Sequence, residues 1–338
     1  MTAEKLRVAV VGAGRMGSDH VQRLAHHTLR AEVSAVVDVD EARARAVASQ
    51  VEGAEVFTSF DDLLVSGRAD AVVLATPGFL HEEPLVKLIE AGVPVLCEKP
   101  LTPDPESSLR VVQAEVAAGR KLIQVGFMRR FDAGYRQLKD LIASGEHGRL
   151  LTLHHQHRNP ATPPGFTEEM LINDSVVHEF DAIRYFTGEE IVNVQVRMGR
   201  TTSKAPEGMR DPQKVTVQTE SGLLADVEIF VNAQLGYQVH TQATFESGVA
   251  KIGEEAQLQL AAGGRNGAAI DQGFETRFGA AYDVEVQRWV DAVHRGQIDG
   301  PSAWDGYATA ACCAAGVASQ RSAEIVDVEL ERTPEFYA

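Results

Sequence analysis

Lys99 stands directly after a short apolar run, residues 93–97, with Glu98 before it and Pro100 after it. An ammonium at the end of a buried strand can hydrogen-bond a substrate oxygen. It can also stabilise the alkoxide character that builds as hydride leaves carbon. The plainer reading is a rim lysine paired with Glu98. A second group lies in the run Asn173-Asp174-Ser175-Val176-Val177-His178-Glu179-Phe180-Asp181. Asp174, His178 and Asp181 are spaced i, i+4 and i+7, so a helix would carry them on one face. A histidine held by a carboxylate is suited to take a proton from an alcohol near neutral pH. The plainer reading is an N-cap aspartate and a histidine satisfied locally.

A third group is glycine-rich. Gly12, Gly14 and Gly17 follow the apolar residues 8–11 at the G-x-G-x-x-G spacing, with Ala13, Arg15 and Met16 between them. The first glycine permits a tight turn, the second lets backbone approach a pyrophosphate, and the third allows close helix–strand packing. A helix starting there offers unpaired N–H groups to phosphate. The spacing alone is a weak signal, but its setting strengthens it. A second apolar run, residues 33–37, ends in Asp38, where a carboxylate accepts hydrogen bonds from a ribose and repels a 2′-phosphate. The expected cofactor is therefore NAD in preference to NADP, although Arg15 and Arg43 could tolerate a phosphate.

Other polar clusters read less sharply. His154, His155 and His157 suggest a metal site. On a strand, however, His154 points away from the other two, and no metal is expected. Arg129-Arg130 could bind an anion, form a solvated pair or donate to substrate hydroxyls. Cys312-Cys313 reads as packing.

These groups need a scaffold, and the first third of the chain alternates strand and helix. Apolar runs at 8–11, 33–37, 71–75, 93–97 and 122–126 read as buried strands, with helices at 18–26, 41–50, 61–66, from about 81, and at 107–118. This order implies a doubly wound parallel sheet covered by helices on both faces. Ligands on such a sheet bind beyond the carboxyl ends of its strands. The glycine turn, Asp38, Thr76-Pro77, Glu98-Lys99 and Phe127-Met128-Arg129 all fall at such ends. The expected cofactor residues are thus Gly12, Ala13, Gly14, Arg15, Met16, Asp38, Thr76, Pro77, His81, Glu98 and Lys99.

The pattern then changes. Helices are expected at 134–143 and 173–187. Alternating segments at 150–157, 192–198, 214–219, 223–231, 237–245 and 249–252 imply a large, mostly antiparallel open sheet. Residues 201–213 and 261–273 read as loops. Two helices follow, the second with a Ser302/Asp305 capping box. The expected division is a Rossmann domain over 1–127 and an α+β substrate-binding domain over 128–338. The closing helix, about 302–320, is expected to pack back on the first domain.

The chain has 338 residues and a net charge of −16, from 32 basic and 48 acidic side chains. That balance makes nucleic acid and acidic membranes poor partners. Three cysteines give no disulfide framework and fit a reducing compartment. No apolar run approaches the ~18 residues of a membrane span, and the start reads as no signal peptide, so the cytoplasm is expected.

With these residues in hand, the chain resembles the glucose-fructose oxidoreductase / inositol dehydrogenase / rhizopine catabolism family. The resemblance rests on the 12–17 fingerprint, Glu98-Lys99-Pro100, and Asp174 with His178. The strings at 125–132, 157–160 and 174–181 look most like the family's myo-inositol 2-dehydrogenases. The resemblance implies that Lys99, Asp174 and His178 form a catalytic triad with His178 as proton acceptor. It implies that Lys99, Arg129, His157, Asn159, Asp174, His178 and Tyr237 lie near cyclitol hydroxyls. It also implies tetramers built through the open sheet. One departure is Gly78, where many members carry Asn. The expected activity is NAD-dependent oxidation of a ring hydroxyl of myo-inositol or a close cyclitol. The alternatives are scyllo-inositol, D-chiro-inositol or an aldose as substrate, a cofactor-sensing regulator, or a structural oligomer. The first reading requires the Lys99 ammonium and the His178 imidazole to converge on one carbinol.

Overall fold

The computed structural model describes residues 5–253, 260–262 and 264–337. Six short apolar runs form the first sheet: β1 (Leu6–Val11), β2 (Ala31–Val37), β3 (Glu55–Phe57), β4 (Ala71–Leu74), β5 (Val95–Cys97) and β6 (Ile123–Val125). All are parallel, in the order β3-β2-β1-β4-β5-β6. Strands buried on both faces must be apolar throughout, and β4 is buried at every residue. The connecting helices are α1 (Arg15–His26), α2 (Glu41–Ala48), α3 (Phe60–Ser66), α4 (Glu82–Ala91) and α5 (Pro105–Ala118). Three of them, α2, α3 and α5, start on side-chain caps: Asp40 accepts from the Arg43 N–H, Ser59 from Asp62 and Asp104 from Ser107.

The second sheet has seven strands: β7 (Leu150–Arg158), β8 (Ile191–Met198), β9 (Gln213–Thr219), β10 (Leu224–Phe230), β11 (Gln238–Phe245), β12 (Val249–Ile252) and, late in the chain, Val326–Asp327. It is mostly antiparallel, with β10 and β7 running parallel at its middle. Burial alternates along β11 and β9, so one face is packed and the other open. A short hairpin, β13 (Leu260–Ala262) and β14 (Arg265–Gly267), lies where the sequence suggests only loop. The pairing is local and too brief for an alternation signal. The remaining helices are α6 (Ala133–Ser144), α7 (Val177–Thr187), α8 (Phe274–His294) and α9 (Ala303–Ser322).

Among the described residues the chain forms two units. One runs up to Met128 and adds Tyr282–Ala310 and the residues from Glu331 onward; the other holds Arg129–Ala281 and Ala311–Leu330. This differs from a single cut near 127. Val286, Trp289 and Val290 of α8 pack in one buried cluster with Val8, Val10, Val33, Val36 and Val73, so this part of α8 completes the first unit's core. The Tyr337 hydroxyl likewise donates to Glu115 of α5 at 2.5 Å. The closing helix α9, expected to pack back on the first domain from within the second, is divided between the two units. Its start packs Gly306 on Leu101, whereas Gly316 packs on Ile172 and the Ser319 hydroxyl accepts from the Val196 N–H in the second unit.

The expected helix at 173–187 is also modified. Residues Leu171–Val176 form a π turn in which the Val177 N–H bonds the Ile172 carbonyl; α7 begins only afterwards. Asp174 lies in this wider turn and His178 in the α-helix. A regular i, i+4 face therefore does not relate them.

Candidate active site

In the first unit, the β1–α1 turn borders a cavity of about 1250 Å³. Gly12 has φ +98°, and a Cβ there would lie 2.7 Å from the Ala75 carbonyl carbon. A Cβ on Gly17 would overlap the Gly12 oxygen at 1.7 Å, so helix and strand approach as closely as the fingerprint requires. Gly14 behaves differently: among the described residues beyond its neighbours in the chain, nothing lies within 4 Å of its would-be Cβ. The backbone is bare on the side from which a phosphate would come. Gly12, Gly14, Arg15, Met16, Asp38, Thr76 and Pro77 all line this cavity, as their positions suggest. The Asp38 carboxylate accepts from the Ala13 N–H at 2.8 Å and from the Asp40 N–H at 2.9 Å; Arg43 stands 3.4 Å away. Thr76 Oγ1 is buried and lacks a hydrogen-bond partner among the described residues, which leaves a donor for a ligand.

The cavity also has apolar walls that the sequence reading misses. Val39 is 91% exposed and Phe79 71% exposed, with Leu80 beside them. An exposed apolar residue directly after Asp38 is the available signal.

Two expected cofactor residues have other partners. His81 is fully buried. Its Nε2 faces the Thr76 carbonyl at 2.8 Å, and its Nδ1 faces the Pro100 and Leu101 carbonyls at 2.9 and 3.1 Å. The ring ties the segment after β4 to the segment after β5, and burial lowers its pKa. The Glu98 carboxylate meets His20 Nε2 of α1 at 2.6 Å, with both side chains buried. His81 and Glu98 therefore brace the segment that carries Lys99. Gly78 has a steric reason: a Cβ there would come within 2.8 Å of Pro100 Cγ.

The second unit holds a buried polar cluster. Arg129, at 1% exposure, pairs with Glu179 of α7, at 0%. Burial raises the Glu179 pKa, but the Arg129 charge and His157 overcome that and leave it well below the usual carboxylate range. Burial acts likewise against the Arg129 cation, and Glu179 more than offsets it. His157 Nδ1 lies 3.2 Å from Glu179 Oε2 and 3.3 Å from Arg129 Nη2. Tyr237 packs edge-on to His157 with ring centroids 6.0 Å apart, and burial pushes its hydroxyl up to about 12. Asn159 Oδ1 is buried and lacks a partner among the described residues. His178 is 7% exposed, on the first turn of α7.

Several alternatives are thereby decided. Arg129 and Arg130 are each engaged by a carboxylate, Arg130 with Asp181 at 2.6 Å, so they form neither a solvated pair nor an open anion site. Asp181 thus serves Arg130. The three histidines diverge: His154 bonds Asp226 at 2.8 Å, His155 bonds Thr241 at 2.9 Å, and His157 meets Glu179.

A family model described as "Oxidoreductase family, NAD-binding Rossmann fold" matches residues 6–127, and the corresponding C-terminal domain model matches 135–251. The chain belongs to the Gfo/Idh/MocA oxidoreductase family. Inositol 2-dehydrogenase of Pseudarthrobacter chlorophenolicus is 62% identical, over 99% of both chains. Inositol 2-dehydrogenase of Corynebacterium glutamicum ATCC 13032 is 48% identical, over 99% of this chain and 100% of its own. Among solved structures, the myo-inositol dehydrogenase of Lactobacillus casei, in complex with NAD(H) and myo-inositol, superimposes with TM-score 0.96. It is 34% identical over 99% of this chain and 100% of that one. The scyllo-inositol dehydrogenase of the same organism, with bound NAD(H) and scyllo-inositol, gives 0.89 at 26% identity, over 96% and 99%.

For a member of this family the bare Gly14, the Asp38 carboxylate and the Thr76 hydroxyl at one cavity fit NAD. The family membership and this cavity make the chain an NAD-linked oxidoreductase. Among the described residues no helix is long and apolar enough to cross a membrane.

Proposed function

We propose that this chain oxidises the C2 hydroxyl of myo-inositol to the ketone with NAD as oxidant. One observation carries the reading: 62% identity, end to end, with a relative named inositol 2-dehydrogenase. Bound NAD supplies a two-electron hydride acceptor. Gly12, Gly14, Asp38 and Thr76 hold it in this reading, with Val39, Phe79 and Leu80 as apolar walls. His178 takes the hydroxyl proton as the carbon is oxidised. Lys99 donates a hydrogen bond to the same oxygen, where negative charge builds. Asp174 orients this pair and accepts from a neighbouring hydroxyl. Arg129, His157, Asn159 and Tyr237 bind further hydroxyls. Such a polar site suits a substrate with a hydroxyl on every ring carbon, because unpaired buried groups then reject analogues that lack one.

The proposed assembly is a tetramer built through the open face of the second sheet, in the cytoplasm. Free buried thiols at Cys97, Cys312 and Cys313 suit a reducing compartment. The decisive experiment is absorbance at 340 nm across myo-, scyllo- and D-chiro-inositol, glucose and xylose, with NAD and NADP in turn. Highest kcat/KM on myo-inositol with NAD supports the reading. A preference for another polyol replaces the substrate. No turnover with intact NAD binding favours a cofactor-sensing regulator.

A further inference from the structure

Glu179 is the residue after His178, yet its side chain serves other partners. Its carboxylate is fully buried and meets two groups from distant segments. Oε1 accepts from Arg129, 50 residues earlier, and Oε2 faces His157 Nδ1, 22 residues earlier, at 3.2 Å. The Arg129 guanidinium carbon lies 5.6 Å from the centre of the Phe278 ring, and Tyr237 packs edge-on to His157. Two residues assigned to substrate hydroxyls, Arg129 and His157, are thus tied to one carboxylate that has no assigned role, and Tyr237 packs on the second of them.

We infer that Glu179 is the positioning residue for substrate recognition, fixing the Arg129 guanidinium and the His157 tautomer. The inference rests on the cyclitol reading above. A carboxylate only accepts and a guanidinium only donates. Two neighbours therefore compete to define His157 Nδ1. The two stand at nearly the same range, 3.2 and 3.3 Å, so charge decides: an ionised carboxylate facing an Nδ1 lone pair would be two acceptors in repulsion. Nδ1 therefore carries the proton and donates to Glu179, and the guanidinium keeps its own bond to Oε1. His157 Nε2 is left with a lone pair, so it reads a substrate hydroxyl as a donor. Arg129, held by the same anchor, presents N–H groups and reads hydroxyl oxygens as acceptors. A cyclitol hydroxyl is both donor and acceptor, and a set of fixed polarity discriminates between ring orientations.

The test is a double-mutant cycle in the full chain with Glu179→Gln, His157→Asn and the pair. Glu179→Asp serves as the charge-retaining control. Initial rates are measured against myo-inositol and NAD separately. Glu179→Gln is expected to raise the KM for myo-inositol about tenfold or more, the scale of one lost charge-assisted hydrogen bond. The KM for NAD should stay within about twofold. Because both substitutions remove the same Glu179–His157 contact, the pair should lose less than the product of the two single losses. Glu179→Asp should recover part of the loss. Losses that multiply in full, equal rises in both KM values, or an unchanged KM for myo-inositol overturn the inference. If Glu179→Gln does not fold, the tautomer measurement on the wild type decides the inference. A readout independent of turnover is ¹⁵N NMR of histidine-labelled enzyme, with His157 assigned through His157→Asn. A protonated Nδ1 and an unprotonated Nε2 are expected in the wild type. The opposite tautomer overturns the inference. If the wild type does not oxidise myo-inositol, the substrate reading fails, and the NMR experiment decides Glu179's hold on His157 by itself.

Discussion

His20 Nε2 lies 2.6 Å from Glu98 Oε1, with 0% and 8% of the two side chains exposed. His20 sits on α1, the helix whose N-terminus borders the nucleotide cavity. Glu98 immediately precedes Lys99. One buried hydrogen bond therefore links the phosphate-facing helix to the proposed catalytic lysine. Truncation in His20→Ala leaves a buried carboxylate without this partner, a loss of about 1–3 kcal/mol. The expected result is a Tm several degrees lower and weaker NAD binding. His20→Gln, which retains a donor, should recover part of both. Thermal unfolding by circular dichroism and NAD titration by calorimetry check this. An unchanged Tm and Kd would show that the bond contributes nothing.

Lys99 and His178 should fail in different ways from His20. Lys99→Ala and His178→Ala are each expected to lower kcat at least ~10²-fold, the scale of a positioned acid–base group. The Kd for NAD should change little. Stopped-flow reduction of NAD at saturating myo-inositol isolates the chemical step. Near-wild-type rates in either variant would remove that residue from the mechanism.

Much of the nucleotide half was legible because its signals are local. Gly12, Gly14 and Gly17 lie within six residues, and Asp38 closes the next strand, so spacing alone places them at one strand end. The second sheet was legible through period-2 burial. Most of the misses at the site are long-range or irregular. The bracing role of His81, whose ring nitrogens face three carbonyls from residues 76, 100 and 101, has no sequence signal. Periodicity carries no information about such partners. Glu179 is hidden for the same reason: Arg129 and His157 come from separate segments. The π turn at Leu171–Val176 inserts an odd step that a 3.6-residue pattern cannot register. The alanine-rich α9 has no apolar stripe, so its division between two units left no trace in the pattern.

Asp38 should set cofactor choice through charge. Its carboxylate is 9% exposed and already accepts from the Ala13 and Asp40 N–H groups, so it is fixed before a ribose arrives. Asp38→Ser removes the charge that repels a 2′-phosphate, and Arg43 is at hand to bind one. The KM for NAD should rise at least about tenfold and the KM for NADP should fall. Steady-state rates with each cofactor decide it. An unchanged NAD/NADP ratio would sink the assignment of Asp38 to the ribose.

His155 makes stability pH-dependent in a defined window. Its side chain is buried on β7, and burial first of all lowers its pKa from 6.5 to about 4, with Arg129 and His154 acting in the same sense and Glu179 and Asp226 against it. Above pH 6.5 neither the folded nor the unfolded chain protonates this ring, so the full stability is present. As pH falls below 6.5, the unfolded chain takes up the proton first, and stability declines until the folded value near 4 is reached. At about 1.36 kcal/mol per unit over roughly 2.5 units, the loss approaches about 3 kcal/mol. Glu179, whose pKa is depressed, adds loss of the same sign only below about pH 4.5, where the unfolded carboxyl protonates. Between pH 6.5 and 5 His155 is joined by a same-sign share from buried His81, while Glu115 and Asp211, whose pKa values burial raises, pull the slope the other way. His155→Asn retains a polar group toward the Thr241 hydroxyl and has no proton to gain. Urea unfolding at half-unit pH steps should show a slope in the wild type between pH 6.5 and 5 that is clearly reduced in His155→Asn. Equal slopes would mean that the folded protein lets this imidazole protonate as readily as the unfolded chain does.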